Sequence, residues 1–463
     1  MSRKLFGRSS EKLDPNQRDF LLEFFASETK AELDEQAEEV SPEPSRKRKA
    51  AKPKAKAPAD LEVVEEILIP DIVRSNPELW KEISREVLEQ LDYIPGKFLR
   101  RLTIRPKYTR RDNTEEPPVI EPAPPRILER GVAAPGLLAH LLISKYADHL
   151  PCYRQSKIFA ERHQVHIDRN QITQWIGKCA DYLEIIYNQI KEDVLKSQYL
   201  QVDETPITYT DKLAHKGSAK GYLWVYMEPQ KGVVFDWRTN RSTDGLRKFL
   251  GSSFSGTIQC DGYSSYDTYA RENTQTRLIG CWAHTRRKFE NSKDENPTIA
   301  LEILKTIGEL YRIERELRDA RAGPDQRFEK RQNDSLPIAI GLHQRLQELA
   351  TQLPPKSGLG QAVSYALGQW PKLIAAFESG ICELDTNLVE NQIRPSAIGK
   401  KNWLFVGHRD AGKRAAILYT LIQTCRIHQV EPYAYLRDVL ERLPHATNQT
   451  VADLTPSAWS PKS

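Results

Sequence analysis

Apolar positions change their spacing along this chain, and the changes divide it into segments. In residues 132–195 apolar side chains recur at helical spacing, as Leu138, Leu141 and Leu142 illustrate, which predicts amphipathic helices. From residue 198 short apolar runs replace this spacing and predict β-strands at 199–202, 221–227, 233–237, 257–260 and 277–282. Residues 296–352 return to helical spacing.

The order of these elements predicts an α/β fold. Three strands come first, a helix follows at 243–250, and the remaining strands come after it. This order is typical of a ribonuclease-H-like core. The core would extend over 196–410, with a helical insertion at about 290–380.

Segments on either side of the core are predicted from composition and turn residues. Residues 1–30 contain a short helical pattern, and 31–60 carry an acidic and then a basic stretch that predict a disordered linker. The basic stretch either contacts DNA phosphates or is a solvated tether. Residues 61–116 indicate a small module with strands at 87–94 and 97–105. We expect a helical segment at 411–445 and a disordered tail at 446–463.

Residues 132–195 contain a candidate helix-turn-helix. Its first helix would lie at 150–160 and its second at 168–176, with Trp175 in the core. Side chains at the start of the second helix of such a motif contact base edges and phosphates. These would be Arg169, Asn170, Gln171 and Gln174. An ordinary helical hairpin is the alternative interpretation.

Composition limits the class of protein but says little about its partner. A chain of 463 residues is too long for one ordinary core, and its 68 basic against 63 acidic residues are a weak signal for nucleic acid. No apolar run is long enough to span a membrane, and the first residues lack the apolar core of a signal peptide. The six cysteines have no paired spacing, so we expect a reducing cytoplasm.

Three acidic residues occupy positions that suit metal-dependent chemistry. Asp203 and Asp261 follow predicted strands, and Glu390 lies in a helical segment much later in the chain. Carboxylates can hold two divalent cations about 3.5–4 Å apart, which stabilise the attacking and leaving oxygens of a phosphodiester. We therefore expect these residues to be catalytic and to bind two Mg²⁺ ions, with Mn²⁺ as a possible substitute and Asp203 as the bridge.

Other acidic residues are weaker candidates. Glu204 adjoins Asp203, but alternation along a strand points it to the opposite face. Asp211 and Asp236 are expected at the surface or in turns. A single acidic residue at a strand end is usually a surface residue, so the argument depends on the order and context of all three.

The motifs around these residues resemble those of the insertion-sequence-66 family of DDE transposases. The resemblance covers nearly the whole chain, and its most specific motifs lie at 201–206, 260–263, 280–289, 390–395 and 399–405. It implies that Asp203, Asp261 and Glu390 take the catalytic positions of a ribonuclease-H-like domain.

Cys281 and His284 match a Cys-x-x-His element of this family, which implies an auxiliary role. His284 would steer DNA or position a leaving group, and a purely structural pair is the alternative. A zinc site needs about four ligands, and no partner pair lies nearby in the sequence, so no zinc is expected. Basic residues near the catalytic segments are candidate phosphate contacts: Arg286, Arg287, Lys288, Arg394, Lys400, Lys401, His408 and Arg409.

The chain departs from the family pattern in two places. Family members usually carry a cysteine-rich zinc module before the helix-turn-helix, but Thr109 and Arg110 stand where a cysteine is expected. The region 61–116 is therefore expected to be a degenerate module without zinc. The leucine-rich helix that usually precedes the Leu-Phe-Gly-Arg motif at 5–8 is almost absent, which would weaken multimerisation.

The resemblance implies a bacterial DNA transposase that cleaves the ends of its element and joins the freed 3′-hydroxyl to target DNA. Its partners would be the terminal repeats, target DNA, further copies of itself and accessory proteins of the same element. It would act in the cytoplasm, at the nucleoid when bound to DNA, and not at a membrane. Two alternatives stay open: a lapsed relic that only binds DNA, and a nuclease that only hydrolyses it.

Overall fold

The computed structural model describes residues 75, 96–108, 119–120, 122–128, 132–211, 217–447 and 449–461. The chain divides into two units, Met1–Gly96 and Lys97–Ser463, and every element below belongs to the second. The predicted helix in 1–30, the linker at 31–60 and the strand at 87–94 lie outside the described residues, as do Thr109 and Arg110.

A mixed five-stranded sheet lies at the centre of the second unit. Two short strands, β1 (Lys107–Tyr108) and β2 (Val119–Ile120), pair with each other ahead of it. The larger sheet contains β3 (Tyr199–Thr210), β4 (Ser218–Glu228), β5 (Gly232–Arg238), β6 (Gly256–Gln259) and β7 (Thr276–Ile279), in the order β5-β4-β3-β6-β7. The first three of these are antiparallel, whereas β6 is parallel to β3 and β7 to β6. Each overlaps a predicted strand, so the predicted α/β fold is confirmed.

Helices precede, interrupt and follow the sheet. α1 (Pro135–Tyr146), α2 (Cys152–His163) and α3 (Arg169–Leu195) precede it, and α4 (Thr243–Leu250) and α5 (Ser264–Glu272) flank β6. After β7 come α6 (Trp282–Asn291), α7 (Pro297–Asp319), α8 (Pro324–Lys330), α9 (Leu336–Gln352) and α10 (Gly358–Ala375). The last are α11 (Asn387–Trp403), α12 (Arg409–Ile427) and α13 (Pro432–Arg442). None of the described helices combines the length and apolarity needed to cross a membrane.

Helices cover both faces of the sheet, which accounts for the continuous buried apolar run at residues 223–227 of β4. On one face α12 packs against β5, and the rings of Tyr419 and Phe235 lie 5.5 Å apart. On the other face Phe249 of α4 stacks on Tyr226. Apolar residues of α1–α3 and of the sheet belong to one buried core, so the helices at 132–195 are not separate from the sheet.

The helix pair expected as a helix-turn-helix is formed by α2 and α3. The Asp168 side chain caps α3 by accepting a hydrogen bond from the backbone N–H of Asn170 at 2.7 Å. The helix continues to Leu195, well beyond the predicted end at 176, because its later turns pack on the sheet. There the Tyr187 hydroxyl donates to the carbonyl of Phe235 at 3.1 Å.

Helices α7–α10 form the insertion, and they enclose a second apolar core that includes Ile303, Leu310, Leu346 and Val363. A π-helical turn at Arg331–Ser335 joins α8 to α9. Arg331 donates to both carboxylate oxygens of Glu314 at 2.7 Å, and the two side chains are only 0% and 2% exposed. Its remaining N–H groups reach the carbonyls of Ala376 and Ser379.

Residues 97–105 contain no strand, so the strand predicted there is wrong. Leu99, Leu102 and Ile104 are 80%, 72% and 80% exposed, and Phe98 packs its ring against Phe159. An apolar run becomes a stable strand only where neighbouring strands pair with it.

The disordered tail predicted at 446–463 is also wrong for residues 449–461. Val451 and Leu454 are buried beside α13. The Tyr435 hydroxyl donates to the Leu454 carbonyl at 2.7 Å, and the Trp459 indole N–H donates to Asp438 at 2.7 Å. A few apolar anchors hold this polar segment against the helix.

The buried pair in the insertion predicts a large effect of breaking it from one side. Glu314→Gln leaves the Arg331 charge buried without its carboxylate, and we expect it to lower the free energy of unfolding by about 3–5 kcal/mol. Denaturant unfolding measures this loss. Glu309→Gln is the matched control, because Glu309 pairs with Arg312 at the surface and should change stability by about 0.5 kcal/mol at most. Equal losses in the two variants would contradict the prediction.

Candidate active site

Asp203 lies within β3 rather than at its end, so the strand end predicted at 202 is wrong. The last parallel pair between β3 and β6 joins Gln201 to Gln259. Antiparallel pairing with β4 continues beyond it, through Asp203 opposite Val225, to Thr210. Because β6 ends before β3 does, Asp203 is paired with a neighbouring strand, β4, on one side only.

Asp261 lies just beyond the last residue of β6, as predicted for a strand end. Its Oδ1 accepts a hydrogen bond from the backbone N–H of Tyr263 at 2.9 Å, and its side chain is 26% exposed. Since β6 runs parallel to β3, both strands carry their acidic residues to the same edge of the sheet.

A group of buried polar side chains forms hydrogen bonds with the backbone of residues 383–389, the segment that leads into α11. The Gln201 Nε2 donates to the carbonyl of Asp385 at 2.9 Å, and its Oε1 accepts from the N–H of Val389 at 3.2 Å. Gln259 donates to the carbonyl of Glu383 at 2.8 Å and accepts from the hydroxyl of Tyr199 at 2.5 Å. We call the side chains of Tyr199, Gln201 and Gln259 with these bonds the glutamine network.

The glutamine network was not assigned a role from the sequence. Its signal is present there, because Gln201 and Gln259 each lie between two apolar residues and each stand two positions before an acidic residue. An uncharged amide buried in a strand must find partners for its donors and its acceptor. Here those partners are the residues that lead into the helix of Glu390.

Glu390 lies in the first turn of α11, where the helix dipole favours a carboxylate. The Thr386 hydroxyl oxygen lies 3.3 Å from its Oε1. His284 Nδ1 lies 3.8 Å from Oε1, and Arg287 Nη2 lies 3.6 Å from Oε2. Its side chain is 26% exposed, so it is accessible from solvent.

The three acidic residues act on one another electrostatically. Burial raises the pKa of Asp203 well above its usual range, and the charges of Glu204, Glu390 and Asp261 raise it further. A cluster of carboxylates that share one site favours a bound cation, which lowers their mutual repulsion. The donors are all oxygens, so the set fits hard divalent cations such as Mg²⁺.

Glu204 lies on the opposite side of β3 from Asp203. Its side chain is 1% exposed and is bound by Arg241 and by the hydroxyl of Tyr266, the latter at 2.7 Å. Arg241 stacks on the Tyr263 ring at 3.8 Å and lies 4.0 Å from Asp261 Oδ2. The sequence analysis did not identify Arg241, which supplies the positive charge between a buried acidic residue and a candidate ligand.

Cys281 and His284 come together with Glu390. Their ligand atoms and a Glu390 oxygen all lie within 4.8 Å of one another. No partner lies near this pair in the sequence, but in the structure α11 brings Glu390 to the pair from a distant part of the chain.

The predicted DNA-binding residues divide into two groups. Those at the start of α3 are exposed side chains, as the helix-turn-helix prediction requires: Arg169, Asn170, Gln171 and Gln174. On α6, Arg286 and Arg287 are about half exposed. The Nζ of Lys288 lies 5.4 Å from the ring of Tyr365, and Arg394 is exposed on α11.

Lys400 is less accessible than the sequence suggested. Its Nζ donates to the Thr205 hydroxyl at 3.2 Å and to the Pro206 carbonyl at 3.0 Å, on the same strand as Asp203. Burial and, to a smaller extent, the charges of Lys220 and Lys401 together lower its pKa to about 8. Lys400 therefore changes its charge close to neutral pH.

Three protein-family models match the chain. The model described as "Transposase IS66 family" matches residues 130–414, which include the whole sheet and all three acidic residues. The "IS66 C-terminal element" matches 420–457. A model described as "Transposase C of IS166 homeodomain" matches 1–65, which lie outside the described residues.

Two similar proteins come from Sinorhizobium fredii (strain NBRC 101917 / NGR234). Uncharacterized protein y4qI is 32% identical over 460 residues, which cover 96% of this chain and 84% of the relative. Uncharacterized protein y4jD is 34% identical over 375 residues, which cover 78% of this chain and 72% of the relative.

The glutamine network predicts that Gln201 contributes strongly to stability. Gln201→Leu leaves the Asp385 carbonyl and the Val389 N–H without their partner, and we expect a loss of about 2–3 kcal/mol in the free energy of unfolding. Urea unfolding measures it. Gln361→Leu is the control, because Gln361 is exposed on α10 and its replacement should stay within about 0.5 kcal/mol of the parent. A Gln201 variant as stable as this control would show that the network is dispensable.

Proposed function

This chain belongs to the IS66 family of transposases, and we propose that it is an active DDE transposase that cleaves DNA and joins its ends to a target. The observation that carries the proposal is that Asp203 and Asp261 belong to adjacent parallel strands, and that the start of the helix of Glu390 is bonded to the same two strands through Gln201 and Gln259. Two strands and one helix deliver these residues from distant parts of the chain. Burial raises the pKa of Asp203, and the charges of Glu204, Glu390 and Asp261 raise it further, as expected of a carboxylate in a cation-binding site.

We propose that the catalytic domain has the ribonuclease-H-like fold. The support is the strand order β5-β4-β3-β6-β7, with an antiparallel meander followed by two parallel strands. The helical insertion α7–α10 lies between the last of these strands and the helix of Glu390. Ligands of such sheets bind beyond the carboxyl ends of the parallel strands, where Asp261 lies.

Asp203, Asp261 and Glu390 would hold two Mg²⁺ ions, or Mn²⁺ in their place. When bound, such ions stabilise the attacking and leaving oxygens of an in-line displacement at phosphorus. The protein holds the three carboxylates in a fixed relation through β3, β6 and the glutamine network. In the first step water would attack the phosphorus at the element's end and displace the element's 3′-oxygen, which leaves as a 3′-hydroxyl. In the second step this 3′-hydroxyl would attack a phosphorus of target DNA and displace the 3′-oxygen of the target strand.

Basic side chains around the cluster would bind the DNA backbone. Arg287 is half exposed and lies beside Glu390, and Arg394 is exposed farther along the same helix α11. The exposed start of α3 is a second candidate contact, with Arg169 at its first position. A homo-oligomer that pairs two element ends, with accessory proteins of the same element, completes the proposed assembly.

Loss of one candidate ligand should abolish strand transfer. Purified protein is mixed with Mg²⁺ and a labelled duplex that carries the element's own ends, and joined products are measured. We expect Asp203→Asn to reduce them by about 10³-fold, equivalent to about 4 kcal/mol of transition-state stabilisation. Asp211→Asn, beyond the far end of β3, is the matched control and should retain activity.

The products distinguish the alternatives to a transposase. Cleavage without joining would indicate a nuclease that only hydrolyses DNA. Binding without cleavage would indicate a relic or a missing partner, and addition of the accessory proteins separates these two. Full activity in Asp203→Asn would overturn the assignment of the catalytic cluster.

The lowered pKa of Lys400 predicts how DNA binding changes with pH. Lys400 is protonated below its pKa of about 8 and neutral above it, so its attraction for phosphate is lost as the pH rises through that value. We expect the affinity for an element-end duplex, measured by fluorescence anisotropy, to decrease between about pH 7 and 9. Lys400→Arg should keep its charge and remove most of this dependence. The same pH profile in both proteins would exclude Lys400 as its source.

A further inference from the structure

Cys281, His284 and Glu390 form a mixed sulfur, nitrogen and oxygen donor set beside the carboxylate cluster. Their ligand atoms lie within 4.8 Å of one another. We propose that these residues form a binding site for a thiophilic divalent cation, such as Zn²⁺. This site differs from the proposed Mg²⁺ centre because it has soft donors and uses neither Asp203 nor Asp261.

The ends of two helices bring the donors together. Cys281 follows β7 as the N-cap residue of α6, and His284 lies in the first turn of that helix. Glu390 lies in the first turn of α11. The positive ends of both helix dipoles therefore face this group, and they favour a thiolate and a carboxylate as ligands.

The sulfur of Cys281 is already an acceptor of hydrogen bonds. The backbone N–H of Thr386 donates to it at 3.4 Å and the Thr386 hydroxyl at 3.2 Å. Burial raises the pKa of Cys281 to about 11, whereas these bonds act in the opposite direction and favour the thiolate. A bound cation would release the thiol proton and keep the same supporting bonds.

His284 has a ring nitrogen suited to the same cation. Its Nδ1 is buried and has no hydrogen-bond partner within the part of the chain that the structure describes. It lies 3.8 Å from Glu390 Oε1. A buried nitrogen without a partner is costly, and coordination through its lone pair would satisfy it.

The composition of the donor set determines which cation it prefers. Thiolate and imidazole favour Zn²⁺ and related ions, whereas Mg²⁺ prefers oxygen ligands throughout. The side chains of His284 and Glu390 are 24% and 26% exposed, so water can reach the position of a fourth ligand. Glu390 would be shared with the catalytic cluster, but binding at this site does not require catalysis.

Cobalt(II) is a spectroscopic probe for this site, because a thiolate ligand gives it a charge-transfer absorption band. We expect the full chain to bind one equivalent with this band and Zn²⁺ to displace it. Cys281→Ser should abolish the band, and His284→Ala should weaken binding by about 100-fold or more. Cys382→Ser is the matched control, because Cys382 is also buried but lies outside this donor set.

Two further variants keep the result interpretable. His284 is partly exposed, so His284→Ala tests the site even if the buried Cys281→Ser variant fails to fold. Asp203→Asn should retain the band, which separates this site from the proposed Mg²⁺ centre. Absence of a band in the parent protein, or its persistence in Cys281→Ser, would overturn the proposal without affecting the transposase assignment.

Discussion

The bonds of the glutamine network are the interaction on which the geometry of the site depends. β3 and β6 are adjacent and parallel, but Glu390 belongs to a helix that begins only after a long insertion. Gln201 and Gln259 join the two parts by binding the backbone between Glu383 and Val389. Because an unpaired buried amide is costly, these bonds favour the register of that backbone in which both glutamines are satisfied. The network therefore sets the position of Glu390 relative to the strands.

The insertion has a structural task that follows from this constraint. The insertion begins after α6, and the chain must return from it to the edge of the sheet where Asp203 and Asp261 lie, so that α11 can begin there. The insertion has its own apolar core. Arg331, paired with Glu314, also donates to the carbonyls of Ala376 and Ser379, which follow α10. The Trp282 N–H groups bond to the carbonyls of Leu373 and Leu384, at the return point. These bonds hold the residues before the insertion next to the residues that follow it.

Acidic side chains at the site are accompanied by two arginines, Arg241 and Arg287. Burial raises the pKa of Asp203, and the negative charges of Glu204, Glu390 and Asp261 raise it further. Arg241 compensates Glu204 and approaches Asp261, while Arg287 approaches Glu390. These arginines offset part of the negative charge. That arrangement agrees with the proposed binding of cations and DNA at this site.

The sequence by itself determined the strands of the sheet, the helices around it, the order of the three acidic residues and the resemblance to a family. These features depend on local periodicity and on motifs, which short windows of sequence contain. Only the tertiary structure decided that Asp203 lies inside β3, that α3 extends onto the sheet, that 97–105 is exposed and that 449–461 packs on α13. It also brought Glu390 to Cys281 and His284 and gave the buried glutamines their partners. These outcomes depend on which distant segments bury one another, and no local pattern carries that information.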